Sequence, residues 1–383
     1  MSIRDKMRPL FRTLDGGLFS EKAGKADVGD AVSKLQAEGG TLMCWADPFY
    51  PDRVIPQKVL ERSVEVIQQG VACHYTPPIG NADLKEVIAK KIERDNHIKV
   101  NPQRNIIINP GSDVGLYFAM TPFIEPGDEV LVHDPSYPSN FLDPQLLNGV
   151  VVKVPTYEED NYRLRVEEYE KRLTPKTKMV LLSSPNNPTG NCFRQKDLED
   201  LIARFDGIVV LDEAYAEYSG DGMISKVGEF DNLVVTRTFS KAYAMAALRV
   251  GYMASNPRLA EMMGCVKIPY SLNAISEGAA VAAVKDQEFV RRSVELVKEQ
   301  RPRLMKGMEK LGFETFPSDS NFILARSPID HKVLVDGLRE KGILIRDFGS
   351  KRRTENCVRP TVGTAELNDL FLEKADEVIS GCR

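Results

Sequence analysis

Lys241 stands between two hydroxyls and an arginine in the run VVTRTFSKAYAMAALRVG, Val234 to Gly251. Thr238 and Ser240 can donate hydroxyls to an anion, and Arg249 brings a planar fork that matches phosphate better than an ammonium does. An anion held beside a lysine amine suits a phosphorylated aldehyde, which the amine can capture covalently. Asp212 ends the apolar run IVVLD, where a buried carboxylate needs a cation to offset its desolvation, and Tyr215 follows three residues on. Arg359 lies inside the apolar stretch CVRPTVGT. There it calls for an anion, either a substrate carboxylate or phosphate or an internal salt bridge. An isolated T-x-S-K reads better as a strand running into a helix with its lysine in water; the agreement of distant motifs overturns that reading in favour of chemistry.

In NPGSDVGLYFAM, Gly111, Ser112 and Asp113 open a helix whose free N–H groups and positive dipole end would face an anion. G-S-D alone is weak, since Ser and Asp are ordinary N-caps. DPSYPSN places Tyr137 at a strand end, where its ring could stack on a planar ligand or simply pack in a turn. VLLSSPNNPTG sets Asn187 just beyond another strand, in a segment too polar for core and too proline-rich for helix. Tyr75 sits on the turn HYTPP, and Trp45, the single tryptophan, in the proline-punctuated loop TLMCWADPFYPDRVIP.

Together these motifs resemble the fold-type I pyridoxal phosphate enzymes, the class I/II aminotransferases, with TFSKAYAMAALRVG in the place of their Schiff-base segment. Thr238 and CVRPTVGT look most similar to the histidinol-phosphate aminotransferase branch, while Ala247 stands where many relatives carry Gly. The resemblance implies a pyridoxal 5'-phosphate cofactor whose aldehyde is held by Lys241 and whose ring nitrogen faces Asp212. It implies Tyr215 and Asn187 on the phenolic oxygen and Tyr137 over the ring. Gly111, Ser112, Asp113, Thr238, Ser240, Arg249 and Tyr75 of the partner subunit would surround the phosphate, which makes a homodimer with shared sites the expected assembly. Arg359, Asn187 and Trp45 are the expected substrate contacts. The implied activity moves an amino group between an amino acid, or an amino-alcohol phosphate such as histidinol phosphate, and a 2-oxo acid. The cofactor motifs serve equally a pyridoxal-phosphate-dependent amino-acid phosphate decarboxylase or C–S lyase. A non-catalytic regulatory relative is disfavoured by the intact set of Lys241, Asp212 and Arg249.

The elements that must position these residues follow a repeating grammar from Asn105 onward: apolar strand, polar loop, helix. Strands are expected at residues 106–109, 129–133, 150–154, 179–183, 208–212, 233–236 and 250–255. Short V/I/L runs separated by helices predict an α/β fold with a mostly parallel seven-stranded sheet sandwiched by helices, as in the pyridoxal-phosphate-dependent transferase fold. Ligands of such sheets gather beyond the carboxyl ends of the strands. A smaller α/β domain follows, with strand candidates FETF, NFILAR, GILIRD and NCVRPTVG and helices at 331–340 and 365–380. The expected division is an N-terminal arm at 1–50 joining the small domain, a large cofactor-binding domain at 51–285 and a small domain at 286–383. Pro302 is expected to kink or divide a long helical region ending near Lys310. Glu213 is expected to be solvated or structural rather than chemical.

A chain of 383 residues has length for two domains, and 42% hydrophobic with 28% charged residues is a globular composition. A net charge of −4 leaves no basic footprint for nucleic acid. The six cysteines show no C-x-x-C spacing and the four histidines no ligand spacing, so neither a disulfide framework nor a metal site is expected. No apolar run has membrane-spanning length and the first residues lack a signal core, which makes the cytoplasm the expected compartment.

Overall fold

The computed structural model describes residues 30–47, 55–220 and 222–382. The arm before residue 30 and the Pro48 to Tyr50 portion of the aromatic turn lie outside the described residues.

Strand β1 (Thr41–Met43) precedes seven strands that follow the apolar runs: β2 (Ile106–Asn109), β3 (Glu129–Asp134), β4 (Val150–Pro155), β5 (Thr177–Ser183), β6 (Ile208–Asp212), β7 (Leu233–Thr238) and β8 (Gly251–Ser255). These seven form one sheet in the order β2-β8-β7-β6-β5-β3-β4. Side chains alternate between two apolar cores. Along β6, Val209 and Leu211 enter one cluster and Val210 the other, and β2, β5 and β7 alternate likewise. Burial on both faces is why the sequence shows continuous apolar runs instead of an in/out pattern.

The strands β4, β3, β5, β6 and β7 pair in parallel, whereas β8 runs antiparallel to both β7 and β2. The cause is local. The link from β7 to β8 carries no crossover helix, only the 3₁₀ turn Ala246–Leu248, and a return that short cannot reverse direction twice. That link holds Lys241 and Arg249.

The smaller sheet adds β9 (Glu314–Thr315), β10 (Ala325–Arg326), β11 (Ile343–Asp347) and β12 (Cys357–Arg359), in the order β1-β11-β12-β10-β9. β1 pairs in parallel with β11, Thr41 opposite Ile343, so the segment just ahead of Trp45 is an edge strand of this sheet. Its flanking helices span His331–Glu340 and Ala365–Gly381.

One expectation is corrected. The long helical region divides at Asp286, between helices Ala274–Lys285 and Gln287–Lys310, and the second helix runs on through Pro302. A helix-interior proline costs about 3 kcal/mol. Val297, Leu304 and Met308 on either side of it are buried, and each such side chain contributes about 1.5–3 kcal/mol, so packing outweighs the lost hydrogen bond. Of the two readings open for Glu213, the structural one holds: it is fully buried and held by Arg237.

Candidate active site

The carboxyl ends of β3, β5, β6 and β7 and the loop leading into β8 converge on a cavity of about 480 Å³, which segments around β1, β11 and β12 close from the other side. Trp45, Ser112, Asp113, Tyr137, Asn187, Asp212, Tyr215, Thr238, Ser240, Lys241, Arg249 and Arg359 all line it. Residues spread from position 45 to 359 meet there because parallel strands present their ends at one sheet edge.

One end of the cavity is built for an anion. Thr238 Oγ1 donates to Ser240 Oγ at 2.9 Å and accepts from the Ser240 N–H at 3.1 Å, fixing both hydroxyls beyond β7. Arg249 reaches Ser240 Oγ at 3.4 Å and the Ala246 carbonyl at 2.9 Å. Facing them is the N-terminus of helix Gly111–Met120, with its unpaired N–H groups. Gly111 does not line the cavity, but it makes this end possible. Its φ of +80° is left-handed, and a Cβ there would lie 2.5 Å from Arg249 Nη2. Burial raises the Asp113 carboxyl above its usual range, with Arg249 and Lys241 opposing.

Asp212 lies deeper. Thr236 Oγ1 and the Ala214 N–H both donate to its Oδ1, each at 3.1 Å. Burial pushes this carboxyl up to about 7, and the neighbouring Asp113 adds to the rise. A carboxyl so short of counter-charge fits a cationic ring nitrogen placed against it. Burial also drives the Tyr137 hydroxyl well above the ordinary phenol range, so it stays protonated. Lys241 Nζ lies 5.8 Å from the Tyr215 ring centre and donates to the Trp45 carbonyl at 2.9 Å. Trp45 thus meets the lysine through its main chain.

The far wall carries two arginines. Arg359 is 4% exposed; it donates to Asn187 Oδ1 at 2.5 Å and to the Cys44 carbonyl at 2.6 Å, and it lies 4.4 Å from the centre of the Phe322 ring. Arg346, directly opposite it in the antiparallel pair of β11 and β12, lines the same cavity, as do Phe348 and Asp47. Sequence reasoning assigns no role to Arg346 or Phe348, while Asp47 lies in the turn that only loosely resembles the roof of relatives' substrate pockets. The signal for Arg346 was available, since GILIRD embeds an arginine in an apolar strand just as CVRPTVGT does. Tyr75 is not brought to this cavity: it is 86% exposed, with its ring 4.8 Å from that of Tyr270. Among the described residues, no group of three His, Cys, Asp or Glu side chains is placed to hold a metal ion.

The family model "Aminotransferase class I and II" matches residues 43–374. The chain belongs to that family. The aminotransferase is 32% identical over 331 residues to the histidinol-phosphate aminotransferase of Thermoanaerobacter sp. (strain X514), covering 85% of this chain and 90% of the relative. It is 30% identical to the enzyme of that name from Methanocaldococcus jannaschii, covering 87% of each. Among solved structures, the aromatic aminotransferase from Pyrococcus horikoshii superposes with a TM-score of 0.79 at 28% identity, over 92% of this chain and 99% of that one. The histidinol-phosphate aminotransferase from Sinorhizobium meliloti, solved in complex with pyridoxal-5'-phosphate, superposes with a TM-score of 0.82 over 99% and 98%; at 23% identity it bears on the fold. The chain is a transaminase close to the histidinol-phosphate branch, and its cofactor is pyridoxal 5'-phosphate.

Proposed function

We propose that this aminotransferase takes its amino group from an amino-alcohol phosphate of the histidinol phosphate type, or from an α-amino acid, and passes it to a 2-oxo acid. The observation that carries the reading is the register of Arg346 against Arg359. Both guanidiniums line the cavity, and a phosphate or carboxylate placed between them would accept charge-assisted hydrogen bonds from each. The names of the relatives, histidinol-phosphate aminotransferases, agree with a phosphorylated donor.

When bound, pyridoxal phosphate supplies an aldehyde that reacts with amines and a ring that accepts electrons. Lys241 Nζ would hold the aldehyde. Once released by an incoming amine, the same nitrogen would act as the base that takes the proton from the amine-bearing carbon of the substrate and hands it on to the cofactor carbon that had carried the aldehyde. Asp212 would keep the ring nitrogen protonated through its charge, and the cation would relieve the burial that now raises its carboxyl. Tyr215 and Asn187 would bind the phenolic oxygen, and Tyr137 would cover the ring. The phosphate would rest on the N–H groups opened by Gly111, Ser112 and Asp113, on Thr238, Ser240 and Arg249, and on Tyr75 of the partner subunit. Arg359 and Arg346 would orient the substrate anions, with Trp45 and Phe348 shielding the cavity from water.

The homodimer is supported by an exposed apolar strip. Leu60, Val64 and Ile67 share one face of helix Gln57–Gln68 at helical spacing, and Val71, Tyr75 and Ile79 continue beyond it, all exposed. Contiguous apolar surface of this kind marks an interaction site. The break at Asp286 and the pairing of β1 with β11 support dividing the chain near residues 50 and 285. Six free cysteines support a reducing compartment, the cytoplasm.

The deciding experiment is a panel of amino donors mixed with the loaded protein in single half-reactions, read from the cofactor spectrum. Histidinol phosphate should convert the cofactor to its aminated form faster than its unphosphorylated counterpart does. Equal rates for the two would remove the phosphorylated donor from the reading.

A further inference from the structure

The cavity residues rest on a second set of charges that do not touch the cavity. Along β7, Thr236 faces Asp212 and Thr238 faces Ser240, while Arg237 projects from the opposite face of the strand. There it forks onto Glu213 Oε2, Nε at 2.9 Å and Nη2 at 2.7 Å. Both are buried, Glu213 completely and Arg237 to 4% exposure. The Glu213 N–H also donates to the Thr236 carbonyl at 2.9 Å, and its Oε1 accepts the Met223 N–H. Behind this pair lies another: Lys91 Nζ is 3.3 Å from Glu217 Oε1, which is itself 3.9 Å from Arg237 Nη1. Gly222 closes the set, since a Cβ there would come within 2.7 Å of the Glu213 oxygens.

Four ionised groups inside a core are costly to desolvate, and a buried ion pair is a weak source of stability compared with apolar packing. The neighbouring junction of β2 and β8 is held without any charged strand residue. What the fork does supply is directional constraint. Glu213 is the residue after Asp212, and Arg237 lies four residues before Lys241 on the adjacent strand. We infer that the Glu213–Arg237 pair is a positioning device for transamination, fixing the spacing between the strand end that carries Asp212 and the one that delivers Thr238, Ser240 and Lys241. The inference rests on the roles proposed above for Asp212 and Lys241. Neither Glu213 nor Arg237 lines the cavity, so both act through their neighbours.

The test compares Glu213→Gln with Lys91→Met, which breaks the distal pair of the same network. For each variant three quantities are measured: Tm of the cofactor-free protein, pyridoxal phosphate affinity from absorbance titration, and kcat and KM in the donor half-reaction. Both variants should lower Tm. Glu213→Gln alone should weaken cofactor binding and lower kcat by roughly 10–100-fold, the usual cost of losing a group that orients a ligand's direct partner, with donor KM near the wild-type value. Should Glu213→Gln fail to fold, Glu213→Asp keeps the charge with a shorter reach and should show the same pattern in weaker form. Wild-type affinity and kcat in the folded Glu213 variant would overturn the inference. So would an equal loss in Lys91→Met at matched Tm, which would make the network structural only. A wild-type protein that takes up no cofactor would instead overturn the site assignment beneath it.

Discussion

Lys241 Nζ donates to the main-chain carbonyl of Trp45 at 2.9 Å, joining the large sheet to a segment that the small sheet holds. That segment is tightly tied. The Ala46 N–H donates to Thr361 Oγ1 at 3.0 Å, Asn321 Nδ2 donates to the Ala46 carbonyl at 2.8 Å, and Arg359 holds the Cys44 carbonyl. Ala46 has a φ of +55°, a backbone geometry that a non-glycine residue keeps only when its surroundings impose it. The amine therefore rests on a preformed oxygen at the cavity rim.

Removing the amine should end turnover. Lys241→Ala should retain weak cofactor affinity but transfer no amino group, and borohydride, which should label wild-type protein at Lys241, should leave the variant unlabelled. Undiminished transamination by Lys241→Ala would show that another residue holds the aldehyde.

The cofactor-free protein should lose stability as pH rises from about 4 to about 7. Asp212 has its carboxyl raised from an ordinary value near 3.8 to about 7 by burial, and Asp143 and Glu277 are likewise raised to about 7. In each case the folded state binds the proton more tightly than the unfolded chain does. Their contribution is therefore complete below the unfolded pKa and lost as pH climbs through the folded one. Tm followed across that window should decline less steeply in Asp212→Asn, which should also lower kcat far more than it raises substrate KM. An identical pH slope in that variant would remove Asp212 as a source.

Arg359→Lys should raise KM for donor and acceptor together, because one site serves both half-reactions. Lysine cannot make two parallel bonds, and the expected loss is about 1.5–3 kcal/mol, as for a hydrogen bond to a charged group. Arg346→Gln should be selective, penalising substrates with a second anion more than those with one. If Arg346→Gln slows all donors by the same factor, the pairing of the two arginines does not read the substrate.

Gly111→Ala should weaken cofactor binding with little change in donor KM. The left-handed backbone costs an alanine about 1–2 kcal/mol, and the added methyl group would push against the Arg249 guanidinium. Cofactor affinity measured beside Tm separates the local effect from general destabilisation; a drop in Tm alone would show that Arg249 can step aside.

Shared sites predict complementation. Lys241→Ala and Tyr75→Ala proteins, each impaired, should regain activity when unfolded and refolded together, since a mixed dimer contains one site with both wild-type residues. No recovery, with mixed dimers demonstrated, would place Tyr75 outside the neighbour's site.

The strands of the large sheet were legible because each is a compact V/I/L run, and most candidate site residues because each follows such a run. Other features were hidden for physical reasons. The contact between Trp45 and Lys241 uses a backbone carbonyl, which every residue type possesses. Whether Glu213 is solvated or structural stays open in sequence until Arg237, distant along the chain, is seen to share its burial. The continuity through Pro302 depends on what Leu304 and Met308 pack against, which local propensity does not contain. The sequence places Gly111 at a helix opening, whereas its need for glycine arises from a left-handed φ and the approach of Arg249.

The alternation along β7 also bears on how the chain avoids folding wrongly. A strand displaced by one residue turns every side chain to the other face. Such a slip would carry Arg237 to the side of Asp212 and set threonines against Glu213, stranding one buried acid without its base. Apolar strands, whose valines and leucines look alike from either face, tolerate a shift of that kind far better. The charge on Arg237 thus gives the hairpin of β7 and β8 an electrostatic check on its own alignment, made before any ligand arrives to reward the right one.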